Sequence, residues 1–95
     1  MATLNFSAEE HGRAIRVRVS GGRSFIVGPG EFRDCLAEAE RQLAVGARDL
    51  LLEVRGKMRL RLTGCRRSEL QMAVRIMHNV LEECSEASTA FAALN

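Results

Sequence analysis

The sequence predicts an α/β fold of the α+β type: a two-layer sandwich in which two helices pack on one face of a mixed or antiparallel sheet of about four to five strands. Two observations predict this fold class. Apolar and polar residues alternate in several short segments, as in half-buried strands. Apolar residues also recur at helical spacing in two longer segments. The 95 residues make one domain, 1–95, with room for a modest core.

The first strands are expected before residue 28. Between residues 15 and 19, three apolar residues alternate with Arg16 and Arg18, which is the pattern of a half-buried strand. Residues 25–27 are compatible with a short strand or with a buried loop, and the pattern leaves both open. Around these segments we expect a weak strand at 3–7 and turns at 8–12 and at Ser20-Gly21-Gly22.

A further strand is expected at residues 50–54, where Leu50, Leu52 and Val54 share one side. Leu51 adds an apolar residue on the opposite side. A strand that is apolar on both sides is typical of a central position in a sheet. The pattern therefore favours a central strand here.

Two helices follow from the spacing of apolar residues. The first is predicted from about Glu31 to Val45, ended by Gly46, and the second from about Ser68 to Cys84, with Ser68 as the N-cap. The first helix carries a narrow apolar stripe that is suited to packing against a sheet. Its members are Phe32, Cys35, Leu36, Ala39 and Leu43.

The apolar surface of the second helix is wider and covers an arc of roughly 200° at about 100° per residue. A sheet face of so small a domain is not expected to cover that much of a helix. We therefore predict that Met72, Ile76 and Val80 contact a partner, most simply a second copy of the chain in a homodimer. The alternative is that residues 87–95 fold back and cover the helix.

The stretch EVRGKMRLRLTGC, residues 53–65, has two interpretations. It is either a β-hairpin that turns at 55–57, or one strand that runs into a phosphate-type loop and then a helix. The hairpin gives the order ββαββα, with an additional N-terminal strand left open. In that arrangement the sheet face opposite the helices displays clustered arginines, which suit phosphate or carboxylate groups. The predicted basic face comprises Arg16, Arg18, Arg55, Arg59 and Arg61.

Under the second interpretation, the layout of residues 3–83 resembles the STAS domain, the sulfate-transporter and anti-sigma-factor-antagonist module. The resemblance lies in GRAIRVRVSG, in EFRDCLAEAERQLAVGARDLLLEVRG, and in a strand that ends in a glycine-containing loop. The family's phosphorylated serine has no counterpart in Arg61-Leu62-Thr63-Gly64. The resemblance therefore implies a protein-docking module rather than a phosphorylation switch.

No motif identifies a reaction, so we do not expect an enzyme, and no cofactor or metal is expected. The cysteines at 35, 65 and 84 are scattered, and His11 and His78 have no companion at metal-ligand spacing. No apolar run approaches the roughly 20 residues that span a bilayer. The first residues carry acids where a signal peptide is basic, which favours a cytoplasmic protein without membrane contact.

These observations favour a regulatory module that binds another protein and acts as a small homodimer. The alternative is a nucleic-acid-binding domain that uses the arginine-rich sheet face. Two features count against the alternative: the chain has no Trp or Tyr for base stacking, and Glu53 lies among the arginines.

Overall fold

The computed structural model describes residues 6–19 and 23–94, and it describes side chains as far as Cys84. Five strands and two helices occupy this part of the chain, and the predicted α+β fold class is confirmed. The elements in chain order are β1 (Phe6–His11), β2 (Ala14–Val19), β3 (Ser24–Val27), α1 (Pro29–Ala44), β4 (Leu50–Val54), β5 (Met58–Leu62) and α2 (Arg67–Leu94).

The strands form two antiparallel sheets instead of the single predicted sheet. The first has the order β1-β2-β3 and the second is the β4-β5 hairpin. Helix α1 packs on β4 and β2, whereas α2 packs on α1 and β1. The inward-facing residues of both sheets join the helices in one core, whose largest fully buried side chains include Phe32, Ile15, Leu50, Leu52, Leu62, Leu70 and Met77.

The hairpin interpretation of residues 53–65 is confirmed, and the single-strand interpretation is wrong. Val54 pairs with Met58, and the intervening turn is closed by a hydrogen bond of 2.9 Å from Lys57 N to Val54 O. Gly56 has φ +78° at the third position of this turn. A type II turn requires a positive φ there, and glycine adopts it without a steric penalty.

Strand β1 replaces the turn that was predicted at residues 8–12. It continues to His11 because its polar residues find partners on β2, where Glu9 stands opposite Arg16 with Oε1 and Nη1 3.7 Å apart. Residues 25–27, which the sequence left open, belong to β3. Of the weak strand expected at 3–7, residues 6 and 7 belong to β1, whereas residues 3–5 and the turn expected at 20–22 lie outside the described residues.

Helix α1 buries the five residues of the predicted stripe, so that prediction is confirmed. The helix begins two residues earlier than expected because Pro29 occupies its first turn, where the missing N–H is not needed. The Gly28 N–H donates to Glu31 Oε1 at 3.0 Å and so caps the helix. At the other end Gly46 has φ +80°, the left-handed conformation that commonly follows a helix.

Helix α2 begins in a similar way. The Arg66 N–H donates to Glu69 Oε1 at 2.9 Å, so the predicted cap at Ser68 is wrong and Ser68 lies inside the helix. The helix has 28 residues and continues to Leu94, ten residues beyond the predicted end. Because residues 87–94 extend the helix, they do not fold back over its earlier turns.

The wide apolar surface of α2 is covered mostly within the protomer. Helix α1 and strand β1 lie against α2, so two neighbours share an arc that one sheet face does not cover. The buried residues of α2 are Leu70, Ala73, Val74, Met77 and Val80, whereas Ile76, Leu81 and Cys84 are partly buried. The exception is Met72, which is 58% exposed. Of the three residues predicted to contact a partner, Met72 is therefore the one that is mainly exposed.

Strand β4 lies at an edge of its sheet and is not the predicted central strand. The side-chain amide of Gln42 on α1 occupies that edge. Its Oε1 accepts the Leu51 N–H at 3.0 Å, and its Nε2 donates to Leu51 O at 3.2 Å. The amide thus makes the two hydrogen bonds that a neighbouring strand would make with Leu51. Helix α1 therefore takes the place of a second neighbour for this strand, and Leu51 is half-buried.

Candidate functional site

A groove separates the two sheets. Strands β3 and β5 lie side by side, but each pairs only with its own sheet. The space between them has a volume of about 570 Å³. It is lined by Arg23 and Phe25 on one side and by Glu53, Val54, Arg55, Gly56, Lys57, Met58 and Arg59 of the hairpin on the other.

The floor of this groove is apolar. Phe25 stands opposite the buried Val17 in the β2-β3 ladder, and Met58 stands opposite the buried Val54 in the hairpin. These positions belong to the inward faces of the two sheets. Because the sheets do not join, the edge of the core is accessible between them, and Phe25 is only partly buried.

The rim of the groove is cationic, with four basic side chains and one acid. Lys57 Nζ lies 2.8 Å from Glu31 Oε1, and Arg59 Nε lies 3.5 Å from Glu53 Oε2. Among the described residues, Arg23 and Arg55 have no ion-pair or hydrogen-bond partner. These two guanidinium groups are therefore available to an anionic ligand, and each offers the paired donors that bind a carboxylate.

Glu31 fixes the position of Lys57. The hydrogen bond from Lys57 and that from the Gly28 N–H hold the pKa of the Glu31 carboxyl below its ordinary value of 4.5. The carboxylate is thus ionised at neutral pH and links the tip of the hairpin to the first turn of α1. This link sets where the hairpin wall of the groove stands.

The structure separates the arginines that the sequence grouped as one basic face. Arg55 and Arg59 line the groove, whereas Arg16 lies on the outer face of β2, where it contacts Glu9 and donates to His11 Nδ1 at 3.0 Å. Arg18 and Arg61 are exposed and lack ion-pair partners within the described part of the chain. All of them point away from the helices, but they do not form a single site.

The basic face predicted from the sequence includes neither Arg23 nor Phe25, and Lys57 enters that prediction only as a residue of the hairpin turn beside Arg55. The sequence contains a signal for Arg23 and Lys57. In each ββα unit, a basic residue directly precedes the second strand. Arg23 precedes Ser24-Phe25-Ile26-Val27, and Lys57 precedes Met58. Because both units have a basic residue at this position, the sequence predicts that the two cations follow equivalent turns.

The three residues predicted to contact a partner have different environments. Met72 is 58% exposed, Ile76 is partly buried, and Val80 is buried at 5% exposure. Val80 therefore belongs to the core and is not available at the surface. A stable interface covers roughly 800 Å² on each partner, so the predicted homodimer needs further surface beyond Met72 and Ile76.

The cysteines and histidines lie at separate positions in the fold. Burial raises the pKa of the Cys35, Cys65 and Cys84 thiols, so none is an activated nucleophile. His78 pairs with Glu40 across the two helices. Within residues 6–19 and 23–94, no group of three or more His, Cys, Asp or Glu side chains is placed to hold a metal ion.

Comparisons with protein-family models, with curated proteins and with solved structures find no match to this chain. In the described part of the chain, neither helix combines the length and the apolar composition needed to cross a membrane.

Proposed function

We propose that this chain is a non-enzymatic protein-interaction module whose groove between β3 and the β4-β5 hairpin binds an acidic segment of another protein. The observation that carries the proposal is the composition of the groove: an apolar floor beneath a rim of four cations and one acid. Two of those cations, Arg23 and Arg55, have no partner of their own among the described residues.

An acidic polypeptide suits this groove better than a nucleic acid does. Proteins that bind single strands stack the bases on exposed aromatic side chains. The groove has one aromatic residue, Phe25, and it is partly buried. Glu53 also lies on the rim, where it disfavours the closely spaced phosphates of a nucleic acid more than the spaced carboxylates of a peptide.

The test is binding of a fluorescent acidic peptide to the wild type and to two charge-matched double variants. Arg23→Gln with Arg55→Gln removes the unpaired cations of the groove. Arg33→Gln with Arg48→Gln removes two exposed arginines elsewhere that also lack partners among the described residues. Both double variants lower the net charge by the same amount.

We expect the groove variant to bind the peptide on the order of 10-fold more weakly, because two exposed charge pairs contribute about 1 kcal/mol or less each. The control variant is expected to bind as the wild type does. Equal losses in both variants would show that net charge alone drives binding and would refute the groove. A labelled oligothymidylate that binds more tightly than the peptide, with an affinity that falls linearly with salt on logarithmic axes, would favour the nucleic-acid alternative.

A further inference from the structure

The outer strand edges of the described fold differ in how they are protected against the addition of another strand. The outer edge of β4 is closed, because the Gln42 amide binds both backbone groups of Leu51 and the Cys35 thiol donates to Glu53 O at 3.4 Å. The outer strand β1 carries the exposed acids Glu9 and Glu10. Charged residues and covering groups are the usual means by which proteins prevent a further strand from adding to a sheet.

Strand β3 has neither protection. Its sequence Ser24-Phe25-Ile26-Val27 contains no charged residue and no proline. In the described part of the chain its backbone has no hydrogen-bond partner other than β2. Ile26 is 44% exposed. An uncharged edge of this kind is a template for pairing with another chain.

The groove lies beside this unprotected edge, and of the β3 residues Phe25 lines it. Arg23 directly precedes β3, and Arg55 and Arg59 stand on the facing hairpin. We infer that the acidic segment binds to β3 in extended form, as an added strand. This inference rests on the proposed function and specifies the class of partner: a segment in which acidic and apolar residues alternate.

The alternation follows from the two faces of a strand. Successive side chains of an added strand point to opposite faces of the sheet. One set lies over the inward-facing positions of Phe25 and Met58, which requires apolar residues. The other set lies on the outer face, where Arg59 stands 3.5 Å from Glu53, and carboxylates there suit the cationic rim to which the unpaired Arg23 and Arg55 also belong. An edge of four residues accommodates a strand of about the same length, roughly 13 Å.

The edge of β5 is the competing position, and the structure shows which of its groups are free. Because the Leu51 backbone points toward Gln42, Leu51 and its partner Arg61 form a pair that is not hydrogen-bonded across the hairpin. The N–H and C=O groups of Arg61, and by the same alternation those of Arg59, therefore point away from β4. Amide exchange distinguishes these positions from β3.

The experiment is hydrogen exchange of the full chain, followed by NMR, with two synthetic peptides of identical composition. One alternates Glu and Val over seven residues, and the other places its four Glu first. We expect the alternating peptide to bind at least 5-fold more tightly. At nine-tenths occupancy it should slow exchange of alternate amides within residues 24–27 by about 10-fold.

Each other outcome has a distinct meaning. Protection at Arg59 and Arg61 without protection in β3 overturns the assignment to β3. Binding of both peptides with equal affinity and no protected strand amide overturns strand addition but leaves the proposed function standing. If neither peptide binds, the proposed function fails as well.

A second measurement tests the backbone directly. Alternating peptides N-methylated at odd or at even positions lose the donors of one edge only. We expect one of the two to bind like the unmodified peptide and the other to bind at least 10-fold more weakly. Binding of both methylated peptides like the parent would show that no backbone pairing takes place.

Discussion

Replacing Gln42 with alanine tests the edge protection of β4. The substitution removes three hydrogen bonds: those of 3.0 and 3.2 Å to the Leu51 backbone, and one of 3.2 Å from the amide to Glu38 Oε1. Both backbone groups of Leu51 are left without a protein partner. A typical intramolecular hydrogen bond contributes about 0.5 to 1.5 kcal/mol net, so the loss of the two bonds to Leu51 is expected to lower the free energy of unfolding by about 1 to 3 kcal/mol. Alanine is the better helix former by a few tenths of a kcal/mol, which offsets a small part of that loss.

The assay is urea unfolding followed by circular dichroism, with amide exchange at Leu51 as a local readout. Arg33→Ala is the matched control, because Arg33 is exposed on the same helix and has no partner among the described residues. Gln42→Glu is a second variant. Its carboxylate can accept the Leu51 N–H but offers no donor to Leu51 O. It also places a negative charge beside Glu38, whose Oε1 lies 3.2 Å from the amide nitrogen in the wild type. A loss below about 0.5 kcal/mol for Gln42→Ala, with unchanged exchange at Leu51, would refute the assigned role.

Three further predictions concern the surface, the pH profile and the thiols. Met72→Glu should change the free energy of unfolding by less than about 0.5 kcal/mol because Met72 is 58% exposed. If sedimentation shows a dimer for the wild type and a monomer for this variant, the predicted homodimer is supported; if both sediment as the same monomer, it is refuted. Hydrogen bonds from Arg41 and Gln42 hold the pKa of Glu38 at about 2 instead of its ordinary 4.5. Its stabilising contribution is therefore present above about pH 4.5 and is lost as the pH falls toward 2, so Glu38→Gln should flatten that part of a urea-unfolding profile, and an unchanged slope would contradict the assignment. Because burial raises the pKa of the Cys35 thiol, iodoacetamide should modify it far more slowly than free cysteine at neutral pH, as mass spectrometry would detect; modification at the free-thiol rate would show that the site opens.

The helical period of the sequence was sufficient to predict the buried side of α1. Every residue of that stripe, from Phe32 to Leu43, lies in the core, because a stripe of this width is covered by the neighbours of α1, which are β4, β2 and α2. The alternation of apolar and polar residues on both sides of Gly56 likewise predicts the hairpin. In both cases the information is local: neighbours along the chain determine which side is apolar.

The environment of α2 could not be predicted in the same way. The apolar arc of α2 indicates how much surface must be covered, but it does not indicate which elements cover that surface. Part of the cover comes from β1, which is distant from α2 in the sequence. The pattern therefore places Val80 at an interface, whereas it lies in the core. The groove was also not predictable, since it depends on β3 and β5 remaining unpaired and on Arg23, just before β3, and Arg55, in the hairpin turn, lying beside the same space.

The Glu31 and Lys57 contact has a consequence for the position of the hairpin tip. The base of the hairpin is held in the core by Val54 and Met58, whereas its tip is joined to the start of α1 through a pair of exposed side chains, an interaction that salt weakens. If the groove binds an acidic segment as proposed, ionic strength is therefore expected to act on the hairpin tip as well as on the attraction between the two molecules.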